Sequence, residues 1–245
     1  GGGTPPISAE TATLFKDRCK TWKLASYIHA PYYINFASSK NRVSFGSVSA
    51  IREELERGSL LGVKYVMTHL GSSSDLGEAA ALKQVIARVQ AIFDPKKGGP
   101  YATKLLLEIS AGAGGIIGDT FEELGAIVKG VGRADLGVCL DTCHLFASGY
   151  DVRTPAVITA TMRAFKKHLP LSRFQLVHAN DSLYAFGEHR DRHTDIGDGE
   201  LGAETFRSLL CHHDFQGRNF ILETPGADVR RKKDVALLKK LRNEK

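Results

Sequence analysis

Six short apolar runs, each closed by a side chain able to bind a metal ion, constrain this chain more than any other feature. The runs span 25–28, 63–68, 104–107, 136–140, 174–177 and 220–222. They are followed by His29, His69, Glu108, Asp141, His178 and Glu223. Successive closing residues lie 40, 39, 33, 37 and 45 positions apart. That is the length of one strand, one crossover helix and their loops. Runs without polar alternation read as strands buried on both faces, which places them in a parallel sheet. In a parallel (β/α)8-type barrel the carboxyl ends of the strands converge on one face. Residues about 39 apart along the chain are therefore expected to meet in space. A lone histidine after a strand is ordinarily a loop or core residue. Six donors in phase, carboxylates among imidazoles, need cations between them. Nitrogen and oxygen ligands without thiolate suit zinc, manganese or iron.

Helical patterns fill the gaps between the runs. Asp119-Thr120-Phe121-Glu122 reads as an N-cap, with Phe121, Leu124, Ile127 and Val128 at helical spacing and Gly130 as terminator. Thr154-Pro155 opens a helix through about residue 169. Further helices are expected near 8–22, 47–58, 75–93, 202–212 and 228–242. With 245 residues, 42% of them hydrophobic, and no linker or composition shift, residues 1–245 read as one domain. No apolar stretch approaches the ~18 residues of a membrane span. The first residues resemble no secretory signal, and Cys19, Cys139, Cys143 and Cys211 form no disulfide framework. An intracellular protein with reduced thiols is the expectation. A formal charge of +6 is compatible with a polyanionic partner.

Other motifs are less constraining. Asp191 and His193, with His144, are expected to hold another cation. The glycine-rich run Gly197-Asp198-Gly199-Glu200-Leu201-Gly202 lacks the Lys-Ser/Thr of a P-loop and reads as a turn before a helix rather than a phosphate cradle. Gly112-Ala113-Gly114-Gly115 reads as a flexible loop over the barrel mouth. The basic run Arg230-Arg231-Lys232-Lys233 reads as a solvated helix face.

Five local patterns, in order, resemble the endonuclease IV family of apurinic/apyrimidinic endonucleases. The most specific runs from Val138-Cys139-Leu140-Asp141-Thr142-Cys143-His144 through Ala147-Ser148-Gly149-Tyr150-Asp151. Asp191-Arg192-His193 with Ile196-Gly197-Asp198-Gly199 is the second. The segment from His29 to Asn35, Glu108-Ile109-Ser110-Ala111-Gly112 and Leu222-Glu223-Thr224 complete the set. The resemblance implies a TIM barrel with three zinc ions: His29, His69 and Glu108 on the first, Glu108, Asp141, His178 and Glu223 on the second, and His144, Asp191 and His193 on the third. It also implies hydrolysis on the 5′ side of abasic sites in duplex DNA, leaving a 3′-hydroxyl. Glu108 would position the attacking hydroxide, and the enzyme would act as a monomer. Tyr32, Tyr33, Asn35 and Arg192 are the expected DNA contacts. Three positions depart from the family pattern. His69-Leu70-Gly71-Ser72-Ser73 replaces His-Pro-Gly-Ser-His, Ile109-Ser110 replaces Asn-Thr after Glu108, and Leu183-Tyr184 follows Asn-Asp-Ser where a lysine is usual.

Two other readings fit part of the pattern. Metal-dependent sugar isomerases and epimerases place His, Asp and Glu at the same strand ends, and the departures suit a relative that binds abasic DNA without cleaving it. Eight units of about 39 residues need roughly 310, and six strands are countable. The expectation is a shortened chain or a barrel with an open edge, lacking the first strand, first helix and second strand of the family barrel.

Overall fold

The computed structural model describes residues 6–73 and 76–244. The four central apolar runs become strands because both faces are covered, the outer by helices and the inner by side chains of neighbouring strands, while the first and last runs are only partly buried. Helix α1 (Ala9–Thr21) precedes β1 (Tyr27–His29). Then come α2 (Asn41–Leu61), β2 (Tyr65–Thr68), α3 (Glu78–Ile92), β3 (Lys104–Glu108), α4 (Phe121–Val131) and β4 (Gly137–Asp141). Helices α5 (Thr142–Ala147) and α6 (Pro155–His168) lead to β5 (Phe174–His178). The remainder comprises β6 (Asp181–Ser182), β7 (His193–Thr194), α7 (Ala203–Cys211), β8 (Asn219–Ile221) and α8 (Asp228–Asn243).

Six strands form one parallel sheet in the order β1-β2-β3-β4-β5-β8, matching the count from sequence. The other two, β6 and β7, pair antiparallel outside that sheet. Among the described residues no ladder joins β1 to β8, so the wall has an open seam. One side-chain contact crosses it, Asn219 Nδ2 donating to the Tyr27 hydroxyl. A cavity of about 500 Å³ opens at the seam, lined by Tyr27, His29, His178, Ile221 and Glu223 among others.

Side chains alternate along each strand. One set, including Leu105, Leu107, Val138, Leu140 and Val177, packs outward against α2, α3, α4 and α6 in the main core. The other points inward, where Tyr65, Met67, Leu106, Cys139 and Leu176 form a smaller cluster. Two residues beyond Met67, Leu106, Cys139 and Leu176, on the same inner side, stand His69, Glu108, Asp141 and His178. The ladder is staggered: Glu108 pairs in register with Cys139, and Asp141 with His178. The stagger tilts the strands and turns their ends toward one mouth.

Several boundaries differ from the sequence expectation for local reasons. Helix α2 begins at Asn41, six residues early, with no side-chain cap at Lys40 to mark it. Thr120, not Asp119, caps α4 by accepting from Glu123 N at 3.1 Å. Gly130 does not end α4. A Cβ there would sit 2.8 Å from the Ile86 side chain, so the glycine admits α3, and Gly132, at φ +74°, terminates the helix. The expected start of α3 near residue 75 lies outside the described residues, as do residues 1–5. No helix among the described residues is long and apolar enough to cross a membrane.

Candidate metal centre

Strand ends set the first six donors. His29, Glu108, Asp141 and His178 are the last residues of β1, β3, β4 and β5, while His69 and Glu223 follow β2 and β8. Asp141 also caps α5, accepting from His144 N at 2.8 Å, and that one turn swings His144 back into the mouth. The β6–β7 ladder brings Asp191 and His193 over from the far end of a loop.

The nine donors expected from sequence fall into three sets, each with its members within 4.8 Å of one another: His29, His69 and Glu108; Glu108, Asp141, His178 and Glu223; His144, Asp191 and His193. A fourth grouping, Asp141, Cys143 and His193, overlaps the second and third, but burial pushes the Cys143 thiol pKa up and its Sγ donates to the carbonyl of Arg192 at 3.7 Å. Glu108 is fully buried at the junction. Its Oε2 lies 3.1 Å from His29 Nε2 and 3.9 Å from His69 Nε2, and its Oε1 lies 2.8 Å from His178 Nδ1. His178 Nδ1 also lies 3.1 Å from Glu223 Oε2. In the third set Asp191 Oδ1 is 3.3 Å from His144 Nε2 and 3.4 Å from His193 Nε2.

Backbone acceptors orient two of these rings. His29 Nδ1 lies 2.7 Å from the carbonyl of Ala30, and His144 Nδ1 lies 3.0 Å from that of Ile109. A carbonyl only accepts, so each Nδ1 carries a proton and each Nε2 is turned inward, where loss of its own proton would free it to ligate a metal. That arrangement is characteristic of metal-ligating imidazoles. His144 Nε2 and His193 Nε2 approach to 3.3 Å, and buried His69 Nδ1 has no partner. Converging ring nitrogens, one ring nitrogen without a partner and buried carboxylates all fit divalent cations.

Protonation describes the same electrostatic demand. Burial would raise the Glu108 pKa, yet His178, His69 and His29 hold it well below the ordinary value. Burial opposes charge on His144, but Asp141, Asp191 and Glu108 raise it to about 10. Burial likewise works against Asp191, which His144 and His193 bring down to about 2. Each carboxylate calls for a positive neighbour. Metal ions would meet that demand by displacing protons from the imidazoles.

Asn180 was not singled out from sequence. Its Nδ2 donates to Asp141 Oδ2 at 2.6 Å and its Oδ1 accepts from Glu223 N at 2.8 Å, fixing two carboxylate-bearing segments. Thr142 Oγ1 holds Asn180 in turn, donating to its carbonyl at 2.6 Å. The available signal was an asparagine two residues past a strand-end histidine. The glycine-rich turn is no phosphate cradle. Buried Asp181 fills it, accepting from the backbone N–H groups of Gly197, Gly199, Leu201 and Gly202 at 2.9–3.2 Å.

Three of the four expected DNA contacts, Tyr32, Tyr33 and Asn35, line one cleft. Tyr32 and Tyr33 stand out at 89% and 70% exposure beside a cleft of about 330 Å³ that also touches His69 and Asp191. Arg192 is exposed and donates to the carbonyl of Asp191 at 3.1 Å. Asn35 lines the same cleft and also serves its own loop, accepting from Ala37 N at 3.0 Å. The loop at 112–115 is tied down rather than free, with Gly115 O accepting from Ser73 N at 2.8 Å. The basic run at 230–233 is partly internal, since Arg230 pairs with Asp195, Asp198 and Asp234. His212, His213 and Asp214 form another grouping, but the two rings stack at 4.4 Å and Lys166 holds Asp214 at 2.8 Å. Stacked rings aim their lone pairs alongside one another, not at a common point.

A curved parallel sheet with its polar donors at the strand ends defines a class, and the sequence matches the family described as xylose isomerase-like TIM barrel over residues 3–241. Within it the chain belongs to the endonuclease 4 family. It is 38% identical to a "probable endonuclease 4" of Streptomyces coelicolor, over 99% of this chain and 83% of the relative. A second, from Methanosphaerula palustris, is 38% identical over 92% and 79%. The crystal structure of endonuclease IV from Thermus thermophilus superposes with a TM-score of 0.85 at 30% identity, covering 99% of this chain and 85% of that one. A D-tagatose 3-epimerase-like protein, at TM-score 0.75 and 22% identity, shares the fold.

Proposed function

We propose that this chain is a zinc-dependent endonuclease that hydrolyses the phosphodiester 5′ to abasic sites in duplex DNA, leaving a 3′-hydroxyl. The observation that carries the reading is the convergence of nine donors from His29 to Glu223 on a mouth where Glu108 is shared between two sets. The endonuclease names of the relatives, at 36–38% identity, support the substrate. Zinc fits the all-nitrogen-and-oxygen donor set, with three ions for three sets and manganese as a substitute. Bound there, such ions supply Lewis-acid stabilisation of charge developing on the phosphoryl group and lower the pKa of water toward neutrality.

The chain's own residues do the rest. His29, His69 and Glu108 hold the first position, and Glu108 joins it to the second, held with Asp141, His178 and Glu223. His144, Asp191 and His193 hold the third. Asn180 keeps the Asp141 carboxylate turned inward. Tyr32 and Tyr33, exposed beside the cleft, enter the stack where a base is missing. Unstacking costs least there. The +6 balance favours a phosphate backbone and makes binding salt-dependent. The protein acts as a monomer.

Incubating zinc-loaded protein with a duplex carrying one abasic site tests the reading. A nick with a 3′ end that a polymerase extends is expected, and Glu108→Gln reduces it to background. Binding without nicking would point to a lesion-binding relative. Sugar interconversion without nicking would point to an epimerase. Undiminished cleavage by Glu108→Gln would remove that residue from the chemistry.

A further inference from the structure

The segment between β6 and β7 does more than deliver Asp191 and His193 to the mouth. It carries a pre-set cation. Arg190 lies flat on Tyr184 across the neck of this loop, its guanidinium carbon 3.6 Å from the ring centroid, and Nη2 donates to the Tyr184 hydroxyl at 2.7 Å. The platform is anchored at both ends. Tyr184 N donates to Ser182 Oγ at 3.3 Å, and Ser182 Oγ donates to Tyr184 O at 2.8 Å. Farther along, Gly187 N and His189 N donate to the carbonyls of Phe146 and Ala147, each at 3.0 Å. The Phe186 ring packs on Phe146 at 5.4 Å. Those partners belong to α5, the helix that also carries His144.

Nearby arginines are engaged elsewhere. Arg153 is paired with Asp151 at 2.9 Å, and Arg192 folds onto the carbonyl of Asp191. Arg190 is exposed, and no carboxylate of the described residues forms an ion pair with it. It immediately precedes Asp191, which lines the 330 Å³ cleft with Tyr32 and Tyr33. A planar cation stacked on an aromatic ring loses little freedom on binding, and its remaining N–H groups match the oxygens of a phosphodiester.

We propose that Arg190, held in place by Tyr184, binds a backbone phosphate of the nucleic-acid strand at the rim of the metal centre. This deepens the proposed nuclease reading and rests on it. The position is specific to this loop: Tyr184 supplies the ring, Ser182 fixes its backbone, and Arg190 supplies the charge.

The test measures steady-state cleavage of an abasic duplex by zinc-loaded protein across salt, with metal content recorded for each variant. Arg190→Ala is expected to raise KM about fivefold with kcat within about twofold. It should also make the slope of log kcat/KM against log salt less negative by about 0.9, the release associated with one phosphate. Tyr184→Leu is expected to raise KM while keeping the slope, because the charge stays and its platform goes. Arg190→Lys should keep the slope and recover less than half of the lost affinity. An unchanged KM and slope in Arg190→Ala would overturn the proposal. So would a fall in kcat accompanied by metal loss, which would make Arg190 a mere support for Asp191. If the unsubstituted protein does not nick at all, the nuclease reading fails instead. Duplex binding by fluorescence anisotropy, with the same variants and the same slope criterion, then decides the role of Arg190 alone.

Discussion

Two layers of side chains line the inside of the wall, and they are built from the same strands by the same alternation. The lower contains Tyr65, Met67, Leu106, Cys139 and Leu176; the upper contains His69, Glu108, Asp141 and His178, two residues farther along. Both are largely shut away from solvent: Leu106 and Glu108 are each 0% exposed. Their energetics are opposite. Burying a leucine side chain contributes roughly 1.5–3 kcal/mol to folding, whereas burying a carboxylate costs several kcal/mol unless positive charge meets it. The lower layer is therefore a support the fold makes for itself. The upper layer is a demand for positive charge that divalent cations would satisfy. On β2, β3, β4 and β5 a step of two residues separates a core position from a candidate ligand position.

Breaking the upper layer is expected to have the largest effect. Chelation should abolish nicking and lower Tm, and added zinc should restore both, because ligands that bind only the folded state stabilise it by RT ln(1 + [L]/Kd), about 2.7 kcal/mol at 100-fold excess over Kd. Thermal scans with and without chelator check this. In Glu108→Gln that difference should shrink, and the metal-free protein should be less stable than metal-free wild type at neutral pH, because the imidazoles that hold the Glu108 carboxylate ionised lose their buried partner. Next comes the group that orients the upper layer. Asn180→Ala should cost about 10–100-fold in activity or metal affinity, read by zinc titration beside the nicking assay. Breaking the lower layer should leave the chemistry alone. Leu106→Ala is expected to destabilise by about 2–5 kcal/mol in chemical denaturation, with zinc content and the specific activity of the folded protein within about twofold of wild type. A loss of zinc in Leu106→Ala equal to that in Asn180→Ala would erase the distinction between the layers.

The same contrast governs what the sequence makes legible. The six wall strands stand out because an unbroken apolar run, such as 104–107, meets a charged residue at its end, and both properties are local. The ladder of β6 and β7 does not, because two residues per strand carry no period and the pairing is set by a loop ten residues long. Helix α5 escapes notice because its cap, Asp141, is also the last residue of β4. Gly130 looks like a helix terminator in sequence, but only the approach of Ile86 from α3 shows why a glycine is needed there. Asn180 and Asp181 show the same limit. Both are buried polar residues whose partners lie across a loop or on another strand, so their roles depend on contacts no short motif contains. Exposed Tyr32 and Tyr33 could be flagged as aromatic loop residues, but their freedom from local packing needed the structure.

The polar ring at the strand ends is proposed to hold divalent ions. Elemental analysis of protein purified without added metal or chelator, normalised to chain concentration, tests it most directly. About three zinc equivalents per chain are predicted, one for each of the three sets of nitrogen and oxygen donors at the mouth. A chain that carries less than one equivalent of any divalent metal, and takes up none on titration with zinc, would contradict the account.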